Sequence, residues 1–276
     1  MDEPYQKREY DADGRPVEQA LWQKIKKALA PIGVGILVCL KFIAKLKFLL
    51  PVLKTGGTMV LSVGAYAMAW GWEFALGFVV LLFVHECGHL LVARHFGLKV
   101  GAPMFIPFMG AFIALKEAPR NAWIEACVGI GGPLLGTLGA VVCEMIYFAT
   151  GNQLYRALAY TAFFLNLFNL APVGFLDGGR IVTALSPWLW LLGFAIMSVF
   201  AVYRFMQHQF NPILLIVLLL SLPRLFSLFR AKTDEEKRYF EVTSLQRWYM
   251  GVTYFGLIAL LVYGMTLAYI SRESLQ

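Results

Sequence analysis

The stretch Phe74-Ala-Leu-Gly-Phe-Val-Val-Leu-Leu-Phe-Val-His85-Glu86-Cys87-Gly88-His89-Leu-Leu-Val-Ala-Arg-His-Phe96 sets two histidines and a glutamate inside one apolar run. The run is long enough to cross a bilayer as a helix, which takes about 20 residues. Ionisable side chains inside such a span are costly and read as functional by default. Four positions apart, His85 and His89 share one helix face and can hold a single metal ion. Glu86 stands beside them as a base for metal-activated water. Composition alone predicts about 0.002 such His-Glu-x-x-His matches. The competing reading is a structural polar network of two buried histidines and a glutamate.

Hydrophobic residues make up 59% of the 276 positions and charged residues 15%. A soluble domain carries about 45–50% apolar and about 25% charged residues, so this composition excludes an ordinary soluble or disordered chain. The net charge is +7, with lysines and arginines gathered at the ends of apolar runs. That distribution is a membrane-topology signal rather than a nucleic-acid footprint, and no nucleic-acid partner is expected. Cys39, Cys87, Cys127 and Cys143 have no CxxC spacing and read as small core residues. Residues 1–27 mix acids with bases and do not resemble a signal peptide.

Further apolar runs predict an all-α polytopic membrane protein. Spans are expected over 55–72, 74–96, 122–149, 154–170, 188–206, 210–229 and 249–270. Residues 28–53 are apolar but carry Lys41, Lys45 and Lys47, which suits an interfacial helix with snorkelling lysines. Residues 97–120 hold Pro103, Pro107 and Pro119 with several glycines, which is poor helix material. They read as a re-entrant hairpin around Met109-Gly110, of the kind tolerated only against protein or a water-filled cavity. Gly129, Gly131, Gly132 and Pro133 permit close helix contact. Three segments follow: 1–54, a cytoplasmic stretch with the interfacial helix; 55–230, a six-helix core; and 231–276, a charged linker with one more transmembrane helix. With the N-terminus inside and 28–53 not crossing, 21 of the 24 lysines and arginines fall on the cytoplasmic side.

A hydrolytic zinc site keeps three protein ligands and one open position. Asp177 is the only acid between Glu144 and Asp234, and it lies in the stretch Ala171-Pro172-Val173-Gly174-Phe175-Leu176-Asp177-Gly178-Gly179-Arg180, expected to be non-helical. A carboxylate there can approach a metal closely. The alternative is that Asp177 merely caps a helix starting near Arg180.

Two motifs, His-Glu-Cys-Gly-His at 85–89 and Asn169-Leu-Ala-Pro172-Val-Gly-Phe-Leu-Asp177-Gly-Gly-Arg180, together resemble the paired signatures of the site-2 proteases, intramembrane zinc metalloproteases. The resemblance covers roughly residues 55–230. It implies a six-helix protease core, one Zn2+ per chain held by His85, His89 and Asp177, and Glu86 as the catalytic glutamate. Asn169 and Pro172 match the Asn and Pro that precede the aspartate. The implied activity is hydrolysis within or near the transmembrane segment of a membrane-anchored substrate, as part of regulated intramembrane proteolysis. The implied surroundings are a lipid bilayer and an upstream protease or regulatory membrane protein. The absence of a transit-peptide pattern and the compact size point to a prokaryotic cytoplasmic membrane. This length leaves no room for the PDZ domain or CBS pair that many members carry. The active site is expected nearer the cytoplasmic face. An edge in residues 104–115, with Gly110 and Phe112, can take an unwound substrate by strand addition, or the segment can simply plug the cavity. Asn166, one turn before Asn169, reads as interhelical glue. A membrane zinc carrier or sensor, or an idle scaffold, would use the same three ligands.

Overall fold

Gly71, at φ 85°, breaks the first described helix from the second. A glycine is at home in that left-handed backbone, where a side chain would meet its own carbonyl. The computed structural model describes residues 54–230 and 233–269. Helix α1 covers residues 54–70, and α2 runs Trp72–His95. A hairpin of β1 (Met104–Ile106) and β2 (Gly110–Phe112) follows. Next come α3 (Ala122–Thr150), α4 (Gln153–Asn169), a short α5 (Asp177–Leu185), α6 (Leu189–Met206) and α7 (Pro212–Phe229). The chain closes with α8 (Asp234–Tyr239) and α9 (Ser244–Ala268). Residues 28–53, expected to be interfacial, lie outside the described residues.

Capping residues in the sequence set these boundaries. Asn121 accepts from the Ile124 N–H at the start of α3, and Gly151 at φ 70° ends it. Asn152 caps α4. Thr233 with Glu236, and Thr243 with Gln246, form reciprocal capping boxes on α8 and α9.

Four helices, α2, α3, α6 and α9, are long and apolar enough to cross a membrane. Their outward faces carry large bare hydrophobics, such as Leu192, Ile196, Val199 and Phe200 on α6 and Val252 and Phe255 on α9. Apolar surface on this scale belongs in lipid rather than water. The architecture is that of an all-α polytopic membrane protein.

One apolar core joins α2, α3, α4, α5 and α9 through Val79, Ala126, Ala159, Ile181 and Leu261. The described residues from Thr55 onward form one compact unit. The expected segment boundary at 230 therefore marks a change of composition. α9 is packed into the core, and its Tyr254 hydroxyl donates to the Leu170 carbonyl at 2.6 Å. A second cluster, Val173, Leu176, Met197, Leu214 and Val217, seats the chain between α4 and α5 against α6 and α7.

The hairpin forms where the prolines and glycines argued against a helix. Its register pairs Met104 with Phe112, Phe105 with Ala111 and Ile106 with Gly110. Thr55 donates to the Pro103 carbonyl at 2.8 Å, and Thr58 accepts from the Phe105 N–H at 3.3 Å. Tyr66 accepts from the Phe108 N–H at 3.1 Å. α1 thus occupies one edge of the hairpin.

The stretch 171–180, expected to be non-helical throughout, is so only up to Leu176; Asp177 is the first residue of α5. The two glycines that argued against a helix serve close packing instead. A Cβ on Gly178 would lie 2.0 Å from the Leu170 carbonyl oxygen, and one on Gly179 would lie 2.5 Å from that of Gly174.

Candidate metal centre

α2 and α3 cross backbone to backbone. A Cβ on Gly88 would lie 2.1 Å from the Gly131 carbonyl oxygen, and one on Gly131 would lie 2.7 Å from that of Gly88. One residue further along α3, a Cβ on Gly132 would lie 2.2 Å from His89 Nε2 and 2.8 Å from His85 Nε2. The glycines therefore open the space in which the two imidazole tips meet.

α5 brings its first residue to the same point. His85 Nε2 lies 3.2 Å from Asp177 Oδ2 and His89 Nε2 lies 3.2 Å from Asp177 Oδ1. The two Nε2 atoms are 3.1 Å apart. The three side chains are buried, and one ligand atom from each falls within 4.8 Å of the others.

The opposite ring nitrogens decide the proton positions. His89 Nδ1 lies 2.7 Å from the Val128 carbonyl oxygen. A carbonyl only accepts, so this nitrogen carries the proton. His85 Nδ1 lies 2.8 Å from Asn166 Oδ1. The Asn166 amide is oriented by its Nδ2, which donates to the Ala162 carbonyl at 2.7 Å. Oδ1 is then the acceptor, and His85 also donates from Nδ1. In the neutral rings both Nε2 lone pairs point at the Asp177 carboxylate. Acceptors crowded in this way call for a cation between them. Two imidazoles and a carboxylate, each imidazole held by an outer carbonyl, are a donor set suited to zinc.

Glu86 is buried on α2 at 6% exposure. Its carboxylate makes no hydrogen bond among the described residues, so it is available to water and substrate. Arg180 places its Nη1 4.0 Å from Asp177 Oδ1.

The other expected residues stand apart. Asn169 and Pro172 are half-buried at the end of α4 and in the following turn. Neither shares a hydrogen bond with the three ligands, and the Asn169 side chain makes none among the described residues. Gly110, at φ 100°, and Phe112, at 41% exposure, lie on the hairpin. The hairpin touches α2 through Phe105 against Phe83, ring centroids 6.3 Å apart.

Asn166 is the residue the sequence undervalued. It is not only glue between helices; fully buried, it orients the His85 imidazole. Its signal was a polar side chain in the last turn of an apolar helix, and Gly136 on α3 marks its place, because a Cβ there would lie 2.3 Å from Asn166 Oδ1.

A further polar group surrounds the Asp177 segment. Arg224 on α7 donates to the Gly174 carbonyl at 2.7 Å and pairs with Glu125 on α3. The second Glu125 oxygen accepts from the Tyr239 hydroxyl at 2.8 Å. Burial first, and then the Glu125 carboxylate, push the Tyr239 phenol well above its ordinary range, so it remains a donor at neutral pH.

Comparison with known proteins agrees with this site. Residues 73–162 match the family model of Peptidase family M50. That stretch holds His85, Glu86 and His89 but ends before Asp177, whose place in the cluster rests on geometry. Zinc metalloprotease MJ0392 of Methanocaldococcus jannaschii is 34% identical over 130 residues, 45% of this chain and 37% of that protein. The probable zinc metalloprotease EGY2, chloroplastic, of Arabidopsis thaliana is 36% identical over 74 residues, 25% of this chain and 13% of that protein. The matches thus span well under half the length of these curated relatives. The matched stretch, the apolar helices and the cluster of His85, His89 and Asp177 agree: this chain is an integral membrane protein that over residues 73–162 is similar to peptidase family M50.

Proposed function

We propose that the chain is an intramembrane zinc endopeptidase that cuts a membrane-anchored protein within or near its transmembrane segment. One observation carries this reading: Glu86, a buried carboxylate without a hydrogen-bond partner among the described residues, stands on the same helix as two of three converging side chains. His85, His89 and Asp177 are the ligands, and Glu86 is the general base. Zinc bound there would supply a Lewis acid and bring the pKa of water to about 7. Glu86 takes the proton from water as its oxygen bonds to the scissile carbonyl carbon. Glu86 then returns that proton to the departing nitrogen as the C–N bond breaks, so it ends as it began. Val128 and Asn166 hold the imidazoles in the tautomers that keep Nε2 free throughout.

A transmembrane helix presents no accessible carbonyl until it unwinds, and β2 supplies a place for the unwound strand. α1 holds the β1 side of the hairpin through Thr55 and Thr58, which leaves Gly110–Phe112 as the side for strand addition. Phe112 would contact substrate side chains there. Asn169 and Pro172, at the end of α4, would line the approach to Asp177. Residues 55–230 form the protease core, preceded by a cytoplasmic segment and followed by a charged linker and one more transmembrane helix. The distribution of basic residues supports a site nearer the cytoplasmic face; the membrane would be a prokaryotic cytoplasmic one, and an upstream protease would trim the substrate first.

The deciding experiment is cleavage of single-span substrates by purified protein in detergent, with and without a zinc chelator. Activity should vanish on chelation. In Glu86→Gln it should fall by about 10²–10⁴, with zinc content unchanged. Bound zinc with no Glu86-dependent cleavage of any substrate, together with zinc flux in liposomes, would replace this reading with a carrier.

A further inference from the structure

Asp177 is flanked by two clamped carbonyls. Three residues before it, the Gly174 carbonyl accepts from Arg224 Nη1 at 2.7 Å. Two residues after it, the Gly179 carbonyl accepts from Trp190 Nε1 at 2.7 Å. The two donors are themselves joined, because the Arg224 guanidinium lies over the Trp190 ring, 4.7 Å from its centroid. Both also reach α8. Arg224 pairs with Glu125, whose other oxygen takes the Tyr239 hydroxyl. The next residue, Phe240, sets its ring edge-on to Trp190 at 6.5 Å.

The arrangement costs charge burial inside an apolar bundle, with Glu125 only 9% exposed. Simple helix packing does not require it, since apolar side chains would fill the same space at no such cost. What the polar groups provide is direction. They fix two backbone oxygens that bracket a ligand, at the one place where the chain leaves α4 and re-forms a helix.

We propose that Arg224 is a positioning residue for the third metal ligand, and that α8 is latched to the metal centre through Tyr239–Glu125–Arg224 and Phe240–Trp190. The inference rests on the proposed metal centre. It assigns a role to the charged segment after α7: docking of α8 keeps the Asp177 carboxylate at the two Nε2 atoms. Release of α8 removes a partner from each clamp and lets that carboxylate drift. Any partner that binds the segment would then tune metal retention from outside the bundle.

The test uses the full chain purified in detergent, with zinc affinity measured by chelator competition and the ligand geometry read from the absorption spectrum of the cobalt(II)-loaded protein. Arg224→Gln should lower zinc affinity by about 10–100-fold, the usual range for outer partners of metal ligands, and alter the cobalt spectrum. Arg224→Lys, which keeps the charge but replaces the two-nitrogen fork that serves the two acceptors with a single nitrogen, should fall between Arg224→Gln and wild type. Tyr239→Phe removes a single hydroxyl and should cost about two- to tenfold. Wild-type affinity and spectrum in Arg224→Gln would overturn the proposal. If that variant does not fold, Tyr239→Phe decides, and an unchanged affinity and spectrum there would overturn it. A wild-type chain that binds no zinc at all would overturn the metal centre as well, a failure distinct from that of the clamp.

Discussion

His85 and His89 stand where α2 meets α3 backbone against backbone, whereas Asp177 stands on α5, a nine-residue helix held by side chains from α6 and α7. The first region is rigid by close packing: a glycine on each helix removes every atom that could give way. The second adds to its own close packing at Gly178 and Gly179 a set of hydrogen bonds and an ion pair, which can be broken one at a time. One half of the proposed ligand set is therefore built to stay, and the other is built on contacts that can be tuned.

Breaking the first region should have the greater effect. Gly132→Ala puts a methyl 2.2 Å from His89 Nε2 and 2.8 Å from His85 Nε2. Zinc binding should be lost, by more than about 100-fold in affinity, with activity. A folded Gly132→Ala chain that purifies with a full equivalent of zinc would show that the seam is softer than its geometry. Asn166→Leu comes next. It leaves the seam intact but removes the acceptor of His85 Nδ1. Zinc affinity should fall about 10–100-fold, and Asn166→Asp, which keeps an acceptor, should lose less. Equal losses in the two variants would mean that volume rather than the hydrogen bond matters at this position.

On the other side of the comparison, Gly174→Ala strains the clamped turn. Gly174 has φ 47°, and a Cβ there would lie 2.1 Å from Ser221 Oγ. The left-handed backbone alone costs about 1–2 kcal/mol for a residue with a side chain. Thermal stability and zinc affinity should both drop, the latter by about tenfold, and adding Ser221→Gly should recover part of the loss. No recovery would assign the whole effect to backbone strain. The smallest change is Tyr66→Phe, which touches neither half. It removes the acceptor of the Phe108 N–H in the hairpin turn. One hydrogen bond is worth about 0.5–1.5 kcal/mol, so KM for a membrane substrate should rise about two- to tenfold with zinc content intact. A change in zinc content would tie the hairpin to the metal centre more closely than its contacts suggest.

The sequence was most legible where a property repeats along one helix. The apolar runs act within a few residues of themselves, and α2, α3, α6 and α9 form where they lie. It was least legible between Leu170 and Arg180. Gly178 and Gly179 look like helix breakers when read locally, yet each is the first-turn residue that lets α5 sit against the carbonyls behind it. Asn166 and Asn169 are three apart on one helix, and nothing in their spacing says which of them faces α2. The phase of α4 against its neighbours settles that, through Gly136. Arg224 and Glu125, 99 positions apart, carried no signal that they would meet.

A four-residue spacing on a helix is enough to bring two histidines to one face, and an acid beside them is enough to suggest hydrolysis, because helix geometry is local and nearly invariant. The placement of Asp177, the proposed third ligand, is of a different kind. Asp177 reaches the histidines across 92 positions of chain, and it arrives there because glycines let α2, α3 and α5 approach while Arg224 and Trp190 hold the turn that presents it. Those contacts arise between elements, where packing and burial choose among partners that no local pattern ranks.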